Sequence, residues 1–216
     1  MGEGRPRFWP GRRRWLAAAL VGCGLVIAAC APAALAADEA LAGPALLAAL
    51  RAGGLILYFR HTSTDFGQND DQMSGYEDCA RQRNLTARGR DEARAIGVAV
   101  MRLRIPIGDV LASPFCRTRE TAQLIFGRMR VDNAVRGGPA SEDTPDRYSA
   151  LRQLLSAPLP PGTVLAIASH GNPFRAVAGA PYLAEGEAAV IRPLGAGGFR
   201  VIARIPKDGW TALETP

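Results

Sequence analysis

The stretch Leu55-Ile56-Leu57-Tyr58-Phe59-Arg60-His61-Thr62 decides the fold. Five consecutive apolar residues follow Gly53-Gly54 and stop abruptly at two polar ones, the pattern of a strand buried on both faces. The same device recurs at Val110-Leu111-Ala112 and at Val164-Leu165-Ala166-Ile167-Ala168. Helical patterns lie between. Ala40 to Arg51 reads as a short amphipathic helix, and Thr86 caps a second running to about Leu103, with Ala93, Ile96, Val100 and Leu103 on one face. Ser113-Pro114 and Asn172-Pro173 each read as a cap followed by a first helical residue, the former opening a helix to about Phe126. Ala188 to Ile191 and Phe199 to Ile205 flank a Gly-rich turn and are expected to pair as a terminal hairpin. Strands alternating with helices predict a three-layer α/β/α domain around a mostly parallel sheet. Thr64 to Asn84 has no periodicity and reads as a long loop.

Length and composition agree. The chain has 216 residues, 48% hydrophobic and 21% charged, enough to bury a core in one domain. Its net charge of +6 is concentrated at the start, where Arg5, Arg7, Arg12, Arg13 and Arg14 face Glu3 alone, and the remainder is close to neutral. With aromatics at only 6%, that balance argues against nucleic-acid binding.

Arg12-Arg13-Arg14 before the uncharged run Trp15 to Ala29 has the order of a secretory leader and resembles a twin-arginine signal. The run is shorter than the ~20 residues a membrane span needs. Residues 1–36 are therefore expected to be a signal peptide or lipoprotein leader, with 37–216 the mature domain, exported to the periplasm or cell envelope. Cleavage after Ala34-Leu35-Ala36 competes with a lipobox reading of Ile27-Ala28-Ala29-Cys30, in which a lipidated Cys30 attaches the protein to membrane. Cys79 and Cys116 remain in the body, either a disulfide or two separate buried thiols.

The chain contains two histidines, His61 directly after the first strand and His170 two residues after the third. Ligands of open α/β sheets bind at the carboxyl ends of the strands, so both imidazoles are delivered to one edge. Arg60 and Arg117 join them there. Permanent cations, imidazoles and helix N-termini suit a phosphate, and without a carboxylate cluster no metal or other cofactor is called for. The five carboxylates between Asp65 and Asp78 lack the alternation of a calcium loop.

Four blocks, Phe59-Arg60-His61-Thr62, Leu85-Thr86-Ala87-Arg88-Gly89, Ser113 to Ala122 and Ser169-His170-Gly171, together resemble the histidine phosphatase superfamily, of phosphoglycerate mutase-like fold. The resemblance implies a phosphomonoesterase acting on a small phosphorylated substrate. His61 would be the nucleophile, forming a phosphohistidine, while Arg60, Arg117 and His170 hold the phosphoryl oxygens. A phosphomutase and a non-catalytic phosphate-binding module are the alternatives. The pattern departs from the family after the nucleophile, where Gly67 replaces an Asn and Gln68 is the substitute, and at Asn172, where one branch has its acidic donor. Glu142 is the expected proton donor, with Glu185 and Glu187 as rivals.

Overall fold

The computed structural model describes Met1 and residues 40–138 and 147–215. The segment expected to be a leader, the expected cleavage site after Ala36, Cys30 and Glu142 all lie outside the described residues.

Strands β1 (Leu55–Arg60), β2 (Ile107–Ala112), β3 (Arg130–Val131), β4 (Val164–Ser169), β5 (Ala188–Pro193) and β6 (Phe199–Ile205) form one sheet in the order β3-β2-β4-β1-β5-β6. The first four run parallel; β5 and β6 add antiparallel on the far side of β1. The apolar runs fall where burial on both faces requires them: β4 is buried throughout, and β1 up to Arg60.

Side-chain alternation along β1 divides the core. Leu55, Leu57 and Phe59 join one cluster with Leu46, Leu47 and Leu50 of α1 (Gly43–Ala52), Ile96 and Val100 of α2 (Ala87–Arg102), Ile125 of α3 (Cys116–Phe126) and Trp210 near the C terminus. Ile56 and Tyr58 face the opposite layer, packing with Leu151 and Leu155 of α4 (Ser149–Ser156) and Phe174 of α5 (Gly171–Ala178). Each fully buried Leu or Phe adds roughly 1.5–3 kcal/mol of hydrophobic stabilisation, so β1 is the element that ties both layers together. Phe59 stacks on Trp210 with ring centroids 5.7 Å apart.

The structure departs from the sequence reading in a few places. Helix α3 begins at Cys116, not at Ser113-Pro114, and Ser113 turns its hydroxyl towards His170 instead of capping. Helix α5 starts at Gly171 with His170 as its N-cap, so Asn172 lies inside the first turn, where its Nδ2 donates to Gly138 O at 2.7 Å. Helix α4 was not expected. Its Leu151, Leu154 and Leu155 have helical spacing but span only two turns beside a Gly- and Pro-rich segment. Strand β3, two residues long, carries no periodic signal at all.

Cys79 and Cys116 are joined as a disulfide with Cα atoms 5.7 Å apart, which decides between the two readings of that pair. The bridge fastens the loop after β1 to the first residue of α3. Closing a link of 37 residues should stabilise by about 3–4 kcal/mol on loop-entropy grounds. Replacing both cysteines by serine is expected to lower the urea-unfolding free energy by about that much. A loss below about 1 kcal/mol would mean that the loop is ordered in the unfolded chain or held equally well by other contacts.

Candidate active site

Strands β1 and β4 run in register, Arg60 opposite Ser169, and the His61 amide donates to Ser169 O at 3.0 Å just beyond. The next residues outward are His61 and His170. Their rings lie 5.5 Å apart between centroids, almost edge to face, and both are nearly inaccessible, at 1% and 4%. The Tyr58 hydroxyl donates to His170 O at 2.9 Å, and Phe115 packs its edge on the His170 ring. The backbone at Gly137 comes so close to that ring that a Cβ there would sit 2.6 Å from an imidazole carbon.

The turn after His61 is braced from α2. Thr86 caps the helix by accepting from the Gly89 amide at 2.9 Å while its own amide donates to Ser63 O at 3.0 Å. Gly89 is required by this approach, since a Cβ would fall 2.0 Å from the same carbonyl oxygen. Glu92 accepts from the Ser63 hydroxyl at 2.7 Å and pairs with Lys207. Burial works to raise the Glu92 carboxyl, but hydrogen bonds from Lys207 and Ser63 outweigh it and hold the group below the usual carboxylate range.

This bracing orients the His61 ring. Nδ1 lies 3.0 Å from Thr62 O, and a carbonyl can only accept, so Nδ1 carries the hydrogen. In the neutral ring Nε2 then bears the free lone pair. Burial pushes the His61 imidazole well below its ordinary range, the Arg117 charge adds to this, and the Thr62 carbonyl opposes both. Burial lowers His170 in the same way, followed by Arg117 and His61 itself. Its Nε2 lies 2.8 Å from the Ser113 hydroxyl.

Both rings open on a cavity of about 560 Å³ lined also by Arg60, Arg117, Asp70 and Arg83. Arg60 donates to Leu183 O at 2.8 Å and lies over the Tyr182 ring. Arg117 lies over Phe115 and grips both Asp70 oxygens, at 2.9 and 3.0 Å. All four sequence-predicted residues therefore meet in one place. Arg83 is a fifth that the sequence reading missed. It sits inside the aperiodic loop, and its one signal is adjacency to Leu85-Thr86, the block that packs on Ser63. The buried Nε atoms of Arg60, Arg83 and Arg117 have no acceptor among the described residues. Three guanidinium groups lining one cavity are the complement of an oxyanion.

The rival carboxylates go elsewhere. Glu185 accepts from the Thr64 hydroxyl at 2.6 Å and lies 3.8 Å from His61 Nδ1, on the ring edge away from Nε2. The same carboxylate lies 3.5 Å from an Arg60 terminal nitrogen. Glu187 is held by Arg204 at 2.6 and 3.0 Å and by the Ala184 amide, away from the cavity lining. Gln68 lines the cavity, with Oε1 accepting from the Asn84 amide.

Residues 56–136 match the family model of the histidine phosphatase superfamily, branch 1. SixA from Agrobacterium tumefaciens superposes with a TM-score of 0.50 at 14% identity, covering 71% of this chain and 98% of its own. The segment around the first histidine thus matches that superfamily's model, and the fold is like that of SixA. A second similar structure, the protein histidine phosphatase SixA complexed with tungstate, gives 0.49 at 20% identity, covering 71% and 97%. No curated protein matches the chain in sequence. The matched segment contains His61 and Arg117 but stops short of His170, which the β1–β4 pairing brings in.

Because the folded rings take protons less readily than unfolded ones, stability rises with pH up to about 6.5 and declines below it as the unfolded chain takes up protons. In ¹⁵N NMR both imidazoles are expected to titrate well below the range of free histidine, with His61 as the Nδ1–H tautomer. A ring titrating near 6.5, or hydrogen on His61 Nε2, would contradict this geometry.

Proposed function

We propose that this protein is an exported phosphomonoesterase of the periplasm or cell envelope, hydrolysing small phosphorylated substrates through a phosphohistidine on His61. The observation that carries the reading is the His61 ring beside a cation-lined cavity with Nδ1 committed to Thr62 O, which leaves Nε2 as the nitrogen free to act as nucleophile. Export rests on the arginine-led apolar leader, with cleavage after Ala36 or lipidation at Cys30 as its two routes.

In the first step the Nε2 lone pair forms a bond to phosphorus as the ester P–O bond breaks, and the leaving oxygen takes a proton. In the second, water attacks phosphorus, the P–N bond breaks, and inorganic phosphate leaves. Arg60, Arg83 and Arg117 offset the charge spread over the equatorial oxygens, and His170 with its Ser113 partner supplies a further donor. By analogy with oxyanion-hole deletions, removing one such donor costs about 3 kcal/mol, roughly two decades in rate. Catalysis of this kind is positioning and electrostatics, which suits a site whose side chains are already fixed by the fold.

The test is phospho-enzyme trapping with a labelled activated aryl phosphate, followed by turnover on a phosphomonoester panel. Wild-type protein is expected to carry acid-labile label and to release phosphate to water. His61→Ala should abolish both. Label that survives in His61→Ala would remove the nucleophile assignment, and phosphate passed to an acceptor hydroxyl instead of water would favour a mutase.

A further inference from the structure

The cavity has one occupant of its own. Asp70, in the loop after β1, presents both carboxylate oxygens to the two terminal nitrogens of Arg117, at 2.9 and 3.0 Å, and accepts from the Arg83 amide at 2.9 Å. This fork-to-oxygen arrangement is the one a guanidinium offers to a phosphate. Of the carboxylates lining the cavity among the described residues, Asp70 and Asp71, Asp70 is the one gripping Arg117. Its side chain keeps 30% exposure against 6% for Arg117, so the carboxylate lies on the solvent side of a fixed guanidinium.

We propose that Asp70 is an internal stand-in for the phosphoryl group and, once displaced, the proton donor to the leaving oxygen. This inference rests on the phosphomonoesterase reading above. A substrate phosphoryl group takes the Arg117 fork and leaves Asp70 beside a second anion. Two anions sharing a site favour protonation of one of them. The proton is the one carried in by the monoanionic ester, and it moves from the phosphoryl oxygen to the Asp70 carboxylate. As Nε2 of His61 bonds to phosphorus, the P–O bond breaks and Asp70 passes that proton to the departing alkoxide. Its carboxylate then accepts a proton from the water that attacks the phosphohistidine and returns it to the product phosphate as the P–N bond breaks, so that phosphate leaves as the monoanion. With phosphate gone, the deprotonated carboxylate returns to Arg117. This sequence gives the loop two roles: excluding weakly held anions from the fork, and supplying the acid that Glu185 and Glu187 are badly placed to supply.

The experiment uses the full chain with Asp70→Asn, reading equilibrium binding of inorganic phosphate and kcat over aryl and alkyl phosphomonoesters of graded leaving-group pKa. The variant should bind phosphate about tenfold more tightly, since a neutral amide competes less for the fork. Its kcat on alkyl phosphates should fall about 100-fold or more, with a much smaller loss on activated aryl phosphates, so that rate depends more steeply on leaving-group pKa. Phosphate affinity that is unchanged or weakened overturns the stand-in. An unchanged leaving-group slope, an equal loss on both substrate types, or the selective loss appearing in Glu142→Gln instead overturns the proton donor. Thermal unfolding monitors folding, and Asp70→Ser carries the same readouts if the asparagine variant does not fold. Should wild-type protein prove not to hydrolyse phosphomonoesters, the phosphoesterase reading fails separately, and phosphate binding to the two proteins still decides whether Asp70 occupies the anion's place.

Discussion

The parallel pairing of β1 with β4 is the constraint on which the site depends. With Arg60 opposite Ser169, the residues that follow both strands must emerge side by side, and those residues are His61 and His170. A slip of one residue in either strand would reverse the alternation of every side chain between the two layers of the core, which costs far more than any local adjustment at the site. The geometry of the imidazole pair is therefore secured by Leu57, Phe59, Ile167 and their neighbours, not by contacts between the rings.

Holding such a site has an energetic cost that the rest of the fold offsets. Three arginines and two imidazoles crowd one cavity, and the rings respond by staying neutral. Neutrality suits the proposed chemistry, because a protonated Nε2 cannot attack phosphorus. The guanidinium groups cannot neutralise themselves in this way, so they recruit carbonyls, an aromatic face and carboxylates: Leu183 O, Tyr182 and Glu185 for Arg60, and Asp70 with Phe115 for Arg117. The Cys79–Cys116 bridge fixes the loop bearing Asp70 and Arg83 to the helix bearing Arg117. Loop and cation are thus held in one frame although they lie far apart along the chain.

Most of the frame was legible in the sequence because it is written in apolar runs. Residues 55–59, 110–112 and 164–168 announce buried strands, and the polar residues that end them announce the site. What escaped depends on contacts between distant segments. Ser113 looks like a helix cap, yet its hydroxyl is taken by His170, more than fifty residues away in sequence, and α3 opens three residues later. Arg83 has no local pattern to mark it, since its place in the cavity is set by how the loop packs on the turn after His61. Glu185 carries a carboxylate in a plausible stretch for an acid, and only the direction of the His61 ring shows that it faces the wrong nitrogen. The disulfide likewise required knowing that α3 and the loop approach within bonding reach.

Orthovanadate, which adopts the five-coordinate geometry of phosphoryl transfer, tests the central claim most directly when bound in a crystal of the protein. The account predicts vanadium bonded to His61 Nε2, its oxygens contacted by His170, Arg60 and Arg117. Vanadate seated away from both imidazoles, or bonded to His61 through Nδ1, would contradict it.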